Sequence, residues 1–468
     1  MGESSGNMRL VRKEVKEAPT GIKWVKYLAP GLIWMVSSIG SGTILFTPRI
    51  GARYEYELVW MAIAISALIF FVIKEVARFT VVTGKSIIEG FSMLPGPINW
   101  GVWFLFLPHL FAAIIMASGL ALLAGSTAIT TFGGSPVVYA VVLIIACLAL
   151  VLSGKYKGFE KATSVLGGLL VVIALITAIR VLPGTGALIR GTVPQIPYDF
   201  DITFVLPWVG FFLAGAAGLL WFSYWVASKG FGGSLLGEDG IQVLNHEEGL
   251  QKSDERLIKF GKWMKVLNAA CLLGIVTGAL INFAFLVLGT ELLAPEGVIP
   301  EGVEVAEDLT LLLSGVWGET GRWFLLISVF IALTGSIMSN QDGYGRMFSD
   351  TTLLLFGHKL KRKSKTGYGK WVSKKSNIAA VYSTIFSAFI PMMLYFWLED
   401  PVTILSASGI ISAIHIPFIV FGTLYINNRF IPVNLRPGRF SVALLWLAGI
   451  FFSLLAFQQV VELFGIEF

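Results

Sequence analysis

Glycine and hydroxyl residues interrupt two long apolar segments of the sequence. The first group, residues 37–43, reads Ser-Ser-Ile-Gly-Ser-Gly-Thr, and the second, residues 215–225, reads Gly-Ala-Ala-Gly-Leu-Leu-Trp-Phe-Ser-Tyr-Trp. Glycine weakens a helix by about 1 kcal/mol relative to alanine, so both groups are candidate helix breaks. Unwound backbone exposes carbonyl groups and helix ends that can bind an ion or a polar solute. Close packing of helices through small residues is the alternative interpretation.

The composition is that of an integral membrane protein. Of the 468 residues, 55% are hydrophobic and 14% are charged, whereas soluble domains average about 25% charged residues. Apolar runs long enough to cross about 30 Å of hydrocarbon recur along the chain. In lipid, backbone groups must be bonded within their own segment, so these runs are predicted to be helices. The net charge of +6 lies in short loops, so we expect membrane lipid and no nucleic acid as a partner.

The sequence predicts eleven spanning helices and no enzyme or cofactor. The spans are predicted at about 27–48, 55–82, 98–124, 136–153, 158–183, 203–230, 259–290, 320–345, 377–397, 402–427 and 439–464. Residues 1–26 are predicted to form a cytoplasmic tail, and longer loops are predicted at about 231–257, 291–319 and 357–376. Cys147 and Cys271 lie inside apolar runs and are predicted to be packing residues without a disulfide.

Lysine and arginine are concentrated in alternate loops, which sets the predicted orientation. They occupy the N-terminal tail, the loops after helices four and ten, and the linker 357–376, all on one side of an eleven-helix chain. Such loops face the cytoplasm. The sequence therefore predicts a protein of the cell membrane with a cytoplasmic N-terminus and an external C-terminus. The acidic loop 291–319 then faces outward, where its charges are expected chiefly to solvate it.

Helices one and six each begin a run of five helices. Because five is odd, the second run crosses the membrane in the opposite sense, which is typical of an inverted repeat with a binding site at the midplane. We divide the chain into repeats at 27–183 and 203–427 and an eleventh helix at 439–464. The predicted binding site lies between the two breaks, and its residues are Ser37, Gly40, Ser41, Thr43, Gly218, Leu219, Trp221, Ser223 and Tyr224.

Ionisable residues within the predicted spans are the remaining candidates. An ionisable residue inside the membrane is a functional candidate by default, and histidine changes charge near neutral pH. His109 in helix three is the candidate for proton coupling, and His415 in helix ten is a weaker one. A neutral histidine hydrogen-bonded between helices is the alternative for each. Glu75 and Arg78, three residues apart, are predicted to form a structural ion pair near the cytoplasmic end of helix two.

Several motifs resemble those of a known family. Residues 49–60 read Arg-Ile-Gly-Ala-Arg-Tyr-Glu-Tyr-Glu-Leu-Val-Trp, helix one begins with Pro30-Gly31, and helix ten contains His-Ile-Pro-Phe at residues 415–418. This pattern resembles the Nramp (natural resistance-associated macrophage protein) divalent metal transporters, and it extends from about residue 20 to 460. The resemblance implies an all-α membrane protein with the LeuT-like fold of five plus five inverted helices and an eleventh helix. It also implies secondary transport of a divalent cation by alternating access.

The metal ligands of that family are not conserved in the corresponding positions. Where the family has Asp-Pro-Gly-Asn in helix one, residues 40–43 read Gly-Ser-Gly-Thr, and where it has Met-Pro-His-Asn in helix six, residues 219–222 read Leu-Leu-Trp-Phe. A carboxylate and a thioether suit a partly dehydrated transition metal. Their replacement favours a largely hydrated ion such as Mg²⁺, and the chain is similar to the Nramp-related magnesium transporters.

A carrier of a small organic solute or organic cation is the alternative function. Trp221, Phe222, Tyr224 and Trp225 form an aromatic stretch beside the second glycine group. Such rings, with a few hydroxyl donors opposite, are typical of a pocket for an organic molecule and can hold an organic cation. Packing of the rings against neighbouring helices explains the same stretch without a ligand. A sensor that transports nothing is disfavoured because the predicted loops are short.

Overall fold

A computed structural model describes residues 15–38, 40–154, 157–182, 185–232, 255–363, 371 and 374–465. Within these ranges the chain is helical and contains no strand. Nine helices in the described part are long and apolar enough to cross a membrane. The two other predicted spans are helix one, which is broken, and helix five, whose apolar stretch is the shorter Val165–Val181.

The helices are numbered α1–α11 after the predicted spans, and the halves of broken helices are marked a and b. Their bounds are Ala29–Ser38 (α1a), Thr47–Tyr54 (α1b), Val59–Thr83 (α2), Trp100–Phe132 (α3), Pro136–Ser153 (α4), Lys157–Val181 (α5), Ile202–Phe211 (α6a), Gly215–Lys229 (α6b), Glu255–Leu288 (α7), Val305–Lys363 (α8), Lys375–Thr384 (α9), Pro401–Phe430 (α10) and Arg439–Leu463 (α11). A π-helical turn, Gly42–Phe46, precedes α1b, and another, Ile385–Phe389, joins α9 to Ile390–Leu394.

The break of helix one falls within the predicted glycine and hydroxyl group. The helix α1a ends at Ser38, and the backbone resumes as a π-helical turn from Gly42. Tight contacts between backbones hold α1a against α7, because a Cβ atom on Gly31 would lie only 1.9 Å from the carbonyl oxygen of Ala270. Both interpretations of the small residues are therefore correct for helix one. Gly31 permits close packing of α1a against α7, and Gly40 and Gly42 lie at the break.

The break of helix six lies closer to the N-terminus than predicted. Leu213 adopts φ 53° and ψ 48°, and Gly215 adopts φ 57°, so the helix is interrupted at Phe212–Ala214. The helix α6b then runs without interruption from Gly215 to Lys229. Gly218 was expected to contribute to the break, but it is buried inside this regular helix. Close packing overrides the weak helix propensity of glycine at that position.

The loop predicted at 291–319 is largely helical, which corrects the predicted start of helix eight. The α8 helix begins at Val305 and bends at Gly318, where φ is 58°. Its first turns bury Leu309, Leu312 and Leu313 while carrying acidic residues beside them. The charged residues interrupt the apolar run of this amphipathic segment, so the sequence pattern did not predict a membrane-spanning helix there.

Charged residues predicted to be structural form contacts inside the helix bundle. Glu75 is fully buried and accepts two hydrogen bonds from Arg78, at 2.5 and 3.2 Å, and one from Ser441 of α11 at 2.7 Å. This confirms the predicted pair.

Cys147 and Cys271 are buried free thiols, as predicted. The predicted N-terminal tail and the loop 231–257 lie mostly outside the described residues. The first residues of the predicted linker 357–376 continue α8 to Lys363, so helix eight ends later than the predicted residue 345. The orientation stays a prediction.

Candidate functional site

The breaks of helices one and six touch each other. A Cβ atom on Gly42 would lie 2.8 Å from both the Cβ atom and the carbonyl oxygen of Phe211, so only glycine allows this approach. The ring of Phe46 also stacks on the ring of Phe211, with centroids 5.5 Å apart. Two irregular backbone segments therefore meet inside the bundle, where side chains and carbonyl groups must satisfy their polar atoms.

A hydrogen-bond network around Asn282 of α7 anchors the break of helix one. The Asn282 side-chain oxygen accepts hydrogen bonds from Thr47 at 2.9 Å and from Thr43 at 3.3 Å. The Thr47 hydroxyl also lies 3.0 Å from the carbonyl oxygen of Gly42, and it accepts from the indole of Trp208 at 3.1 Å. All of these side chains are buried. The network links helices one, six and seven at the break.

The other predicted residues of helix one also lie at this break. Ser41 is buried, and Gly40 is half-buried with its Cα facing α8, because a Cβ atom there would lie 3.6 Å from the Ser336 hydroxyl. Ser37 belongs to the last turn of α1a, and its side chain lies outside the described part of the structure. Helix one therefore supplies hydroxyl groups and carbonyls at the predicted place.

The predicted residues of helix six lie beyond the break, along α6b. Gly218 and Leu219 are buried, and the ring of Trp221 packs against Tyr344 of α8 with centroids 5.0 Å apart. Ser223 donates to the carbonyl of Leu220 within its own helix. Among the nine predicted site residues of helices one and six, only those of helix one lie at the point where the two breaks touch.

Buried donors without acceptors accompany the aromatic residues. The indole N–H groups of Trp34 and Trp221 have no hydrogen-bond partner among the described residues. The hydroxyl of Tyr224 lies near the side chains of Ser86 and Asp350. The ring of Trp34 contacts Phe222 with centroids 5.7 Å apart, so it joins α1a to α6b. A buried polar group without a partner costs stability, and such groups are candidates for contact with a ligand.

A serine from a distant helix closes the break in helix six. The Ser412 hydroxyl of α10 donates to the carbonyl oxygen of Gly210 at 2.8 Å and accepts from the amide of Ala216 at 3.0 Å. Gly210 lies in the last turn of α6a and Ala216 in the first turn of α6b. These terminal groups have no partner within their own helices. Ser412 thus bridges the two halves across the interruption.

A small cavity lies beside this break and contains both membrane histidines. The cavity has a volume of about 20 Å³, which is enough for one water molecule or one ion. His109 of α3 and His415 of α10 face each other there, with ring centroids 4.7 Å apart. None of the described residues that line it belongs to helix one. The lining residues are Pro108, His109, Ala112, Met116, Phe211, Ala216, Ala217, Tyr344, Ser408, Ile411, Ser412 and His415.

Ion pairs hold the end of α1b that faces away from the break. Arg49, which is almost fully buried, donates to Glu301 at 2.8 Å, and Arg53 donates to Asp201 at 3.1 Å. Tyr56 in the following turn donates to the half-buried carboxylate of Glu291 at 2.8 Å. Part of the acidic loop that was expected to be solvated therefore contacts α1b and covers this end of the bundle.

Several residues of the site were not predicted, among them Thr47, Trp208, Phe211, Asn282 and Ser412. Asn282 is an amide within an apolar run, and a systematic search for polar residues inside spans would have found it. Ser412 gives no such signal, because serine is common in membrane helices and its role depends on the position of the break. In the described part of the chain, no three histidine, cysteine, aspartate or glutamate side chains converge as a metal site.

The sequence and the fold both match known transporters. The family model for natural resistance-associated macrophage protein-like (Nramp) sequences matches residues 31–462. The chain belongs to the Nramp family. It is 26% identical over 326 residues to a divalent metal cation transporter, MntH, of Caldanaerobacter subterraneus, covering 68% of this chain and 71% of the relative. It is also 22% identical over 358 residues to an uncharacterised protein of Pasteurella multocida, covering 72% and 73%.

Solved structures establish the fold of this Nramp protein. A manganese transporter of Eremococcus coleocola superposes with a TM-score of 0.66 at 14% identity, covering 97% of this chain and 92% of the other. A nucleobase-cation-symport transporter with bromovinylhydantoin bound superposes with a TM-score of 0.57 at 13% identity, covering 94% of both chains. The predicted LeuT-like fold, with interrupted helices one and six, is therefore confirmed.

Proposed function

We propose that this Nramp protein is a secondary transporter that moves a divalent cation across the cell membrane by alternating access. The observation that carries the proposal is the contact between two broken helices inside the bundle, at Gly42 and Phe211. A carrier needs a binding place that either side can reach in turn, and unwound segments at the centre of an inverted repeat supply one. Its relatives include proteins described as divalent metal cation transporters.

The donors at the breaks favour a hydrated ion. Ser41, Thr43 and the neighbouring carbonyl groups are neutral oxygen ligands, and the nearby Asn282 adds an amide oxygen. Hard ions such as Mg²⁺ prefer oxygen ligands and usually keep several waters. A transition metal prefers softer imidazole and sulfur ligands, and Ser41, Thr43 and Asn282 at the helix one break supply neither. We therefore propose Mg²⁺ as the cargo, bound through hydroxyls, carbonyls and water, with Ser37 and Gly40 at the same break.

His109 is our candidate for coupling transport to protons. It is buried in α3 and lines the cavity beside the break of helix six, so its charge state would act directly on that break. The measurable consequence is a dependence of uptake on the pH gradient. In the variant His109→Gln, uptake should no longer depend on the pH gradient, and the rate of uptake at equal pH on both sides should be unchanged.

A small organic solute is the second candidate cargo. The unpaired indole donors of Trp34 and Trp221 favour it, because an organic acceptor could bond to them where a metal ion could not, and the ring of Tyr224 lies on the same helix α6b as Trp221. A transporter of the same fold binds bromovinylhydantoin. Gly218, Leu219 and Ser223 would then contribute to the wall of the pocket along α6b.

Uptake by purified protein in proteoliposomes tests the two candidates. We expect Mg²⁺ to enter, Mn²⁺ and Ca²⁺ to be poorer, and Thr43→Val to reduce uptake. Ser126→Ala is the matched control, since this buried hydroxyl bonds only within α3. Thermal-shift screening with amines, amino acids and metal salts should show stabilisation by Mg²⁺. Absence of flux and binding for all three ions would reject the cation proposal, and stabilisation by an organic compound alone would support the second candidate.

A further inference from the structure

Two buried histidines meet across the cavity beside the break of helix six. The imidazole centroids of His109 and His415 are 4.7 Å apart, with the rings inclined at 60°, and each residue is only 3% exposed. Nε2 of His109 and both nitrogens of His415 have no partner among the described residues within hydrogen-bonding geometry. The backbone of Ala216 lies near the His109 ring and that of Phe104 near the His415 ring, but neither completes a well-formed hydrogen bond. Unpaired buried polar atoms are rare, and a concentration of them at one cavity indicates a ligand.

The hydrogen bond of His109 determines which nitrogen is available. Its Nδ1 lies 2.8 Å from the carbonyl oxygen of Leu105. A carbonyl can only accept, so Nδ1 must carry the proton of the neutral ring, and Nε2 is left with a free lone pair. Histidines that bind metals are usually held in this way, with the second nitrogen donating to a backbone carbonyl or a carboxylate.

The other groups of the cavity provide oxygen ligands but no carboxylate. Ser408 donates its proton to the carbonyl of Ala112 at 3.1 Å, so its oxygen keeps two lone pairs. Ser412 donates to Gly210 and accepts from the amide of Ala216, which leaves its oxygen one lone pair. Tyr344 is the titratable side chain from α8, and the lining residues from helix six, Phe211, Ala216 and Ala217, are not titratable. The volume of about 20 Å³ accommodates a single ion or water.

The chemistry of the ring nitrogens, and not the helix ends, determines which ion the cavity favours. The carbonyl end of α6a, at Phe211, and the amide end of α6b, at Ala216, both line the cavity, so their opposite partial charges largely offset each other. Imidazole nitrogens bind Zn²⁺, Co²⁺, Ni²⁺ and Cu²⁺ well, whereas Mg²⁺ and Ca²⁺ prefer oxygen ligands.

We propose that His109 and His415 form a second cation site, selective for borderline transition metals such as Zn²⁺ and Co²⁺. The two imidazoles are the protein ligands, and the hydroxyls of Ser408 and Ser412 or water complete the coordination. The ion ties α3 to α10 at the wall of the helix six break, where Ser412 of α10 already bridges the two halves.

Cobalt titration of the full-length chain tests this site directly. The sequence contains four histidines, so the double variant His246→Gln and His358→Gln leaves only the proposed pair. We purify it in detergent with an affinity tag that contains no histidine and follow the visible absorption of Co²⁺. We expect saturable binding of one ion per chain, with the absorption of nitrogen-coordinated Co²⁺. A millimolar excess of Mg²⁺ should not displace it.

Further substitution in that double variant assigns the ligands. His109→Gln or His415→Gln should each weaken Co²⁺ binding by at least about tenfold, which is the scale for losing a group of a metal site. If these variants fail to fold, Zn²⁺ protection of both histidines from diethyl pyrocarbonate in the parent double variant replaces the comparison. Absence of saturable binding, binding that survives both substitutions, or modification of both histidines by diethyl pyrocarbonate that Zn²⁺ does not slow would overturn the proposal. None of these outcomes depends on Mg²⁺ uptake, so the proposed transport function is tested separately.

Discussion

The bridge formed by Ser412 makes a quantitative prediction. Ser412→Ala removes the hydroxyl that donates to Gly210 at 2.8 Å and accepts from Ala216 at 3.0 Å. Each buried backbone group left without a partner costs about 1–3 kcal/mol, so two such groups cost about 2–6 kcal/mol. Ser412 lines the cavity, however, and a water there can replace part of the bridge. We therefore expect a loss of about 2–3 kcal/mol in the free energy of unfolding.

The measurement is unfolding of the purified protein by increasing mole fractions of sodium dodecyl sulfate in mixed micelles, followed by tryptophan fluorescence. Ser126→Ala is the matched control, because Ser126 is equally buried but donates only to the carbonyl of Leu123 in its own helix. Loss of this single bond should cost no more than about 1 kcal/mol. If both variants lose the same stability, Ser412 does not hold the two halves of helix six together, and the reasoning is wrong.

Three further substitutions test the packing and the charges around the breaks. Gly42→Ala places a Cβ atom 2.8 Å from the carbonyl oxygen of Phe211, so we expect a loss of about 1–3 kcal/mol in unfolding experiments and slower uptake in proteoliposomes. Glu75→Ala leaves the guanidinium of Arg78 without its buried partner and should cost about 3–5 kcal/mol in the same unfolding assay. Tyr56→Phe removes a hydrogen bond to a carboxylate and should cost about 1.5 kcal/mol. Burial first, and the carboxylate contact second, raise the pKa of Tyr56, so this difference should be constant below pH 10 and shrink as the pH rises further.

Each of these substitutions has a control. Gly40→Ala should keep the stability of the parent, because its Cβ atom would lie 3.6 Å from the Ser336 hydroxyl, an ordinary contact distance. Replacing Glu75 and Arg78 together by uncharged residues should cost less than Glu75→Ala alone. Tyr198→Phe, at a fully exposed phenol, should have no effect at any pH. A stable Gly42→Ala variant with normal uptake would show that the two breaks do not need their close contact.

The positions of most helices followed from the sequence because lipid imposes a simple rule. Apolar runs of sufficient length must be helical, and nine helices in the described ranges have that length and composition. The break of helix one was also predictable, since Gly40 and Gly42 lie among hydroxyl residues in an otherwise apolar run. The motifs around Pro30 and residues 49–60 identified the family, which the match over residues 31–462 confirmed.

The break of helix six was predicted in the wrong turn because local propensity does not determine it. Gly215, the first residue of the predicted glycine group, adopts φ 57° at the edge of the break. The residue with left-handed backbone is nevertheless Leu213, an ordinary apolar side chain, and Gly218 remains helical. The interruption persists because Ser412, far along the chain, satisfies the backbone groups on both sides. The residue types within helix six do not indicate that its partner is Ser412 of α10.

The sequence by itself determined the membrane location, most of the spans, the family, and the choice of both histidines as candidate functional residues. Only the tertiary structure decided that His109 meets His415, that Asn282 joins Thr43, and where helix six is interrupted. The physical reason is the range of the forces involved. Burial of apolar surface in lipid acts on each segment separately, whereas hydrogen bonds and close contacts between segments depend on how the helices pack.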